Sequence, residues 1–230
     1  MNKVKVKSAG AGLNLKEAET PAVMLVKGKG RVIIFSYGSE SSGISYSWAA
    51  SESKPGVNQL KNFSDKTVRH IKEEVQEVKQ IGDIVVVSIH WGGNWGYKVS
   101  HEQIEFAHKL IDNAGVDIIH GHSSHHVKGI EVYKGKLIIY GCGDFINDYE
   151  GISGYEYFRD DLSLMYFVRV DPLTGKLVRL QMTPTQIMNF KLNRAPREDA
   201  LWLRDTLNRE GKKFGTQVEL NKDNALKLQW

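Results

Sequence analysis

An α/β fold with parallel strands is predicted for this 230-residue chain by three features of its middle third. Residues 84–90, Ile-Val-Val-Val-Ser-Ile-His, and residues 116–119 are apolar runs of the kind that fill the interior of a sheet. Between them Ser100 and Gln103 have the spacing of a capping box, opening a helix that turns Ile104, Ala107, His108 and Ile111 inward. Strand, helix and strand at this length form a βαβ unit, which makes the strands parallel and brings both C-terminal ends to one edge. Open α/β sheets bind ligands at that edge. A chain of this size is most simply one domain, spanning residues 1–230.

The other elements follow from local chemistry. Asn14 caps a short helix through Glu19, and Pro21 stops it. Residues 23–26 and 32–35 form a hairpin around Lys27-Gly28-Lys29-Gly30. Residues 36–59, rich in Ser and Gly, read as a long loop, with Trp48 a candidate anchor for a substrate cover. Ser64 caps a helix to about Gln80, with Val68, Ile71, Val75 and Val78 on its inner stripe. Residues 129–133 and 137–140 make a hairpin turned by Lys134-Gly135, and residues 162–170 and 176–182 another. Pro196 precedes a helix over residues 198–208 that docks Leu201, Trp202 and Leu207, and the tail offers two short strands.

Composition excludes several classes. The net charge of +4 and pI near 9.0 come from dispersed Lys and Arg, a solvated surface and not a nucleic-acid patch. The single cysteine, Cys142, rules out an intramolecular disulfide and lies in an apolar run that favours an inert thiol. No apolar stretch has the length of a membrane span, and the N-terminus lacks a signal-peptide core, so the chain as written is expected to be cytoplasmic. Gly-x-Ser-x-Gly and P-loop motifs are absent.

The chemistry is concentrated in histidines. Residues 117–126, Asp-Ile-Ile-His-Gly-His-Ser-Ser-His-His, carry four imidazoles directly after an apolar run, and His90 closes the earlier strand. Imidazoles at strand ends converge from rigid elements, so His90, His122 and His125 are candidate ligands for Zn, Mn or Fe, with Asp144 a candidate oxygen ligand or catalytic group. His120 holds a supporting place within the strand end, and His126 ranks below His125. His70, His101 and His108 read as surface or satisfied residues. Asp148 is a turn or cap residue or a further acid facing the metal, and Asp160 and Asp161 pair with Arg159 or a loop amide.

Three motifs carry a resemblance: residues 85–92, Val-Val-Val-Ser-Ile-His-Trp-Gly; residues 121–133, Gly-His-Ser-Ser-His-His-Val-Lys-Gly-Ile-Glu-Val-Tyr; and residues 143–148, Gly-Asp-Phe-Ile-Asn-Asp. With these the chain resembles the CapA family of poly-γ-glutamate capsule biosynthesis proteins. The resemblance implies a calcineurin-like metallophosphatase fold, an α/β/β/α sandwich, here incomplete at its N-terminus. It implies divalent metal ions (Mn, Fe or Zn) bound by His90 and His122, with His125 a ligand or phosphate contact; from the residues themselves, His125 and Asp144 are the candidate catalytic groups. Two positions depart from the family pattern: Asn94 stands where an acidic residue is usual, and Asp144 where an asparagine is usual. The family's Gly-Asp and Asn-His motifs would precede Ala9-Gly10-Ala11-Gly12. The chain is then a fragment, a diverged member, or one completed by another chain or an oligomer. The implied function is metal-dependent hydrolysis of a phosphoester or an anionic polymer, the alternative a non-catalytic polymer-binding scaffold. The family resemblance also implies membrane association.

Overall fold

The apolar run that ends at His90 is a strand flanked on both sides by others. In the computed structural model, which describes residues 6–147 and 152–230, the chain divides into two compact units. The first holds the residues up to Gly92, Ser100–Gly121 and Pro172–Gly175; the second holds Gly93–Val99, His122–Asp171 and Lys176–Trp230.

The first unit contains β1 (Ala11–Gly12), α1 (Leu15–Glu19), β2 (Ala22–Val26), β3 (Gly30–Ser39), β4 (Gly56–Val57), β5 (Gln59–Leu60), α2 (Asp65–Val78), β6 (Ile84–His90), α3 (His101–Asn113) and β7 (Ile118–His122). Asn14 caps α1, its side chain accepting from Glu17 N at 2.9 Å. β2 and β3 are the expected antiparallel hairpin, and β3 runs parallel to β6, pairing Val32 with Ile84 through Gly38 with His90. The sheet order is β2-β3-β6-β7, with β5 also on β3. Val85, Val87 and Ile89 of β6 are buried, together with Ile33 and Phe35, Ile71 and Val75 of α2, and Phe106 and Leu110 of α3. Each such side chain contributes about 1.5–3 kcal/mol by leaving water.

Four expectations need correction. The other face of β6, Val86, Ser88 and His90, is only half-buried, so the strand is not equally apolar in use on its two sides. Ser88 there hydrogen-bonds His120 of β7 at 3.1 Å, a polar pair that tolerates partial solvation. α3 has its capping box, but its buried stripe is Gln103, Phe106, Ala107 and Leu110; it is rotated so that Phe106, beside Phe63 at 4.7 Å, fills the core. The segment expected as a loop over residues 36–59 is largely ordered: β3 continues to Ser39, two 3-10 turns follow, and β4 and β5 close it. Trp48 within it is 56% exposed. β7 extends to His122, so His122 joins His120 as a strand residue on the same face and does not lie in the loop beyond.

Two buried acids lock the loops of this unit. Asp117 accepts from Val85 N at 3.0 Å and from Lys79 Nζ at 2.9 Å. Asp83 accepts from Arg31 Nε at 3.0 Å and from Gln80 N at 2.7 Å, and a second Arg31 nitrogen closes the fork.

The second unit contains β8 (Ile130–Tyr133), β9 (Lys136–Ile139), β10 (Leu162–Val170), β11 (Leu177–Met188), β12 (Lys191–Arg194), α4 (Arg197–Gly211), β13 (Gln217–Leu220) and β14 (Leu226–Gln229). β8 and β9 form the predicted hairpin. β10, β11, β14 and β13 lie in that order in a five-stranded sheet, with β12 also on β11. β11 runs six residues beyond its expected end at Met182, through Pro184, because β12 folds back to pair with it. α4 buries Ala200, Leu203 and Leu207, while Leu201 and Trp202 are only half-buried. Thr216 Oγ1 donates to Ile130 O at 2.7 Å and Tyr140 stacks on Phe214 at 5.0 Å, tying β8 and β9 to the turn after α4. Among the described residues no helix is long and apolar enough to cross a membrane.

The Arg31 fork holds the Asp83 carboxyl below its ordinary value of 3.8. Its stabilisation is therefore present above pH 3.8 and is lost as pH falls through the lower folded-state value. Asp83→Asn is expected to cost about 1–3 kcal/mol at neutral pH, and urea titrations should show wild type and variant converging below pH 3.8.

Candidate functional site

The second unit assembles a polar centre around the turn that follows β7. Ser123 adopts φ 117°, a conformation that costs of order 1–3 kcal/mol for a residue with a side chain. Ser124 Oγ donates to His126 O at 2.8 Å, and Gly141 leaves room for it, since a Cβ there would lie 2.4 Å from that hydroxyl. The strained turn sends consecutive histidines into opposite surroundings.

His125 lies between an acid and an amide. Its Nδ1 is 2.8 Å from Asp144 Oδ2, and its Nε2 is 3.1 Å from Asn94 Nδ2. The backbone clamps the same contact, with His125 N donating to Asn94 O at 3.1 Å, and Ser123 Oγ reaches Asn94 Oδ1 at 3.5 Å. A carboxylate accepts only and the Asn94 amide nitrogen donates only. The neutral ring must therefore carry its proton on Nδ1 and keep a lone pair on Nε2. Asn94 and Asp144 thus meet the two nitrogens of one imidazole. An imidazole whose Nδ1–H is held by a carboxylate is the form that metal-binding histidines take, so His125 fits a metal through Nε2. Asp144 is committed to the ring, with Asn147 Nδ2 also near it at 3.4 Å, and acts on His125 first.

His126 is buried in an aromatic box. Phe158 stacks on it at 4.6 Å, Tyr97 meets it edge-on at 4.7 Å and Trp95 lies at 6.1 Å, while Tyr155 stacks on Trp95 at 4.0 Å. Nδ1 donates to Val127 O at 3.0 Å, and burial holds the ring's pKa down to about 4, so it is neutral at physiological pH. Its Nε2 is sealed from solvent with no hydrogen-bond partner among the described residues. Sequence reading named none of these aromatic neighbours as site residues, although the Asn94-Trp95-Gly96-Tyr97 run beside His90 was a visible signal.

The remaining candidates take definite places. His90 ends β6 half-buried, its carbonyl accepting from Ser42 Oγ at 2.8 Å and Ser39 Oγ at 3.2 Å. His122 ends β7 half-buried. Burial lowers the pKa of His120. Burial pushes the Cys142 thiol up to about 12, which removes it as a nucleophile. Asp161 pairs with Arg159 at 2.8 Å and Asp160 accepts from Ile152 N at 2.7 Å, as expected. Asp148 lies outside the described residues. Lys128 is buried, with Nζ 3.5 Å from Gly93 O, and burial lowers its pKa.

Residues 1–149 match the family described as Bacterial capsule synthesis protein PGA_cap. A probable polyglutamine synthesis accessory protein of Mycobacterium tuberculosis is 45% identical over 224 residues, covering 97% of this chain and 59% of its own length. The capsule biosynthesis protein CapA of Bacillus anthracis is 31% identical over 160 residues, covering 70% of this chain and 36% of its own. The PGA biosynthesis protein CapA of Bacillus subtilis is 36% identical over 113 residues, covering 49% and 27%. The chain thus spans 59% of the length of the mycobacterial relative. Among solved structures, a phosphatase of Mycoplasma pneumoniae aligns with 79% of this chain and 60% of its own, at 13% identity and a TM-score of 0.46.

Exchanging the two neighbours of His125 should reverse its tautomer. In the double variant Asn94→Asp, Asp144→Asn the neutral ring is expected to carry its proton on Nε2, and in wild type on Nδ1. Imidazole nitrogen chemical shifts distinguish the two forms directly; identical spectra would rule out control by these partners.

Proposed function

Because the chain belongs to the bacterial capsule synthesis protein family, we propose that it acts on an anionic capsular polymer such as poly-γ-glutamate, or on a phosphoester precursor, as a metal-dependent hydrolase. The observation that carries this reading is the Asp144–His125 pair, which leaves the Nε2 lone pair as the ring's donor. His90, His122 and His125 would hold the ion, Mn, Fe or Zn, all of which accept imidazole. Such an ion supplies a hydroxide-like water near neutral pH and polarises a phosphoryl or carbonyl oxygen.

This chain's own residues set the stage for that chemistry. Asp144 keeps the proton on Nδ1 and fixes the ring plane. Asn94 donates to the ring's Nε2 lone pair, and its side chain is exposed. Trp95 and Tyr155 form a stacked wall that limits solvent beside His125, the Trp95 ring lying 5.1 Å from the imidazole.

A second reading is a non-catalytic polymer-binding component. It is favoured by the saturation of His125, both of whose nitrogens are held by protein groups, and by the word accessory in the name of the mycobacterial relative.

The hydrolase reading predicts Mn²⁺-dependent cleavage of a p-nitrophenyl phosphodiester or of poly-γ-glutamate by the purified protein. His122→Ala should abolish it, and Asp144→Asn should lower activity by roughly 10–100-fold. Binding of polyglutamate that survives both a chelator and the double change His90→Ala, His122→Ala, with no turnover of either substrate, would instead establish the second reading.

A further inference from the structure

The first unit brings together a histidine and two carboxylates that no part of the proposed centre uses. His70 and Glu74 stand one turn apart on α2, and Glu19 closes α1. His70 Nε2 is 3.5 Å from Glu19 Oε1 and 4.0 Å from Glu74 Oε2, and one ligand atom from each residue lies within 4.8 Å of the other two. Three donors around a zinc ion, each about 2.0–2.2 Å from the metal, would sit roughly 3.3–3.6 Å apart in a tetrahedral site.

A second observation comes from Glu74 itself. Its side chain is 11% exposed, and Oε1 is sealed from solvent with no hydrogen-bond partner among the described residues. Oε2 accepts from the hydroxyl of Tyr37, a residue of β3 that is 2% exposed, at 2.7 Å. A carboxylate with one oxygen oriented by a buried donor and the other bare is an incomplete arrangement in protein terms. In a metal site it is the ordinary one, with the tyrosine as the outer support. The open side is supplied by His70, whose side chain is 52% exposed.

We propose that Glu19, His70 and Glu74 form a binding site for a divalent first-row cation of the zinc class, clipping α1 to α2, with Tyr37 as its positioning residue. One nitrogen and two carboxylate oxygens suit Zn²⁺, and a fourth position remains for water or a ligand oxygen. The site is independent of the centre around His125, since none of its donors belongs to the histidine-rich turn.

The test is a Zn²⁺ titration of the full chain, stripped with EDTA and desalted, against a chromophoric chelator. Wild type is expected to bind a zinc equivalent that His70→Ala and Glu19→Gln weaken by at least about tenfold, and Tyr37→Phe by roughly 10–100-fold. His125→Ala should leave that equivalent in place. Zn²⁺ should also raise the melting temperature of His125→Ala but not that of the double variant His70→Ala, His125→Ala, which reports the site without any activity assay. His70 is half-exposed, so its removal should leave the fold intact, and circular dichroism checks this. Equal zinc affinity and stoichiometry in His70→Ala and wild type would overturn the proposal. So would loss of the equivalent in His125→Ala alone, or no zinc binding by wild type. None of these results decides whether the chain hydrolyses a polymer.

Discussion

An imidazole can offer a lone pair in one direction only while it donates in the other, and the polar centre of this protein depends on that constraint. Asp144 takes the proton side of the neutral His125 ring, which leaves a lone pair on the other side, and Asn94 is the residue that meets it. The strain at Ser123, the hydroxyl bridge of Ser124 and the missing side chain at Gly141 all serve to present that ring. A second carboxylate in place of Asn94 would favour an imidazolium, which binds no metal.

The adjoining histidine shows the opposite use of the same side chain. His126 is enclosed by Phe158, Tyr97 and Trp95, and burial keeps it neutral. Its part is to fill the wall behind His125 with a flat ring whose Nδ1 satisfies the Val127 carbonyl. Two histidines side by side in sequence therefore divide into one with a hydrogen-bonded, partly open edge and one built into an aromatic core. The difference arises entirely from what each faces.

The same division separates the two acidic residues that stabilise loops from the ones that gather near histidines. Asp83 and Asp117 each satisfy backbone amides and a cation, so their charges are spent on architecture. Glu74 has one oxygen bonded by Tyr37 and lying 4.0 Å from His70, and another that is sealed from solvent without a hydrogen-bond partner among the described residues, and burial raises its pKa.

Local pattern was sufficient for most of the architecture. The capping box at Ser100, the Asn14 cap, the glycine turns at residues 27–30 and 134–135 and the β-rich runs beside them are short-range signals, and each element formed where they placed it. The three motifs likewise identified the family before any geometry was known. Tertiary structure decided what depends on neighbours distant in sequence. The buried stripe of α3 was set by Phe63 waiting beside Phe106, and the end of β11 by the returning β12. The partners of His125 stand 31 residues before it and 19 after it, and those of His70 come from a different helix as well as its own. Sequence periodicity carries no information about such meetings, because they are fixed by how separate elements pack and not by the spacing within any one of them.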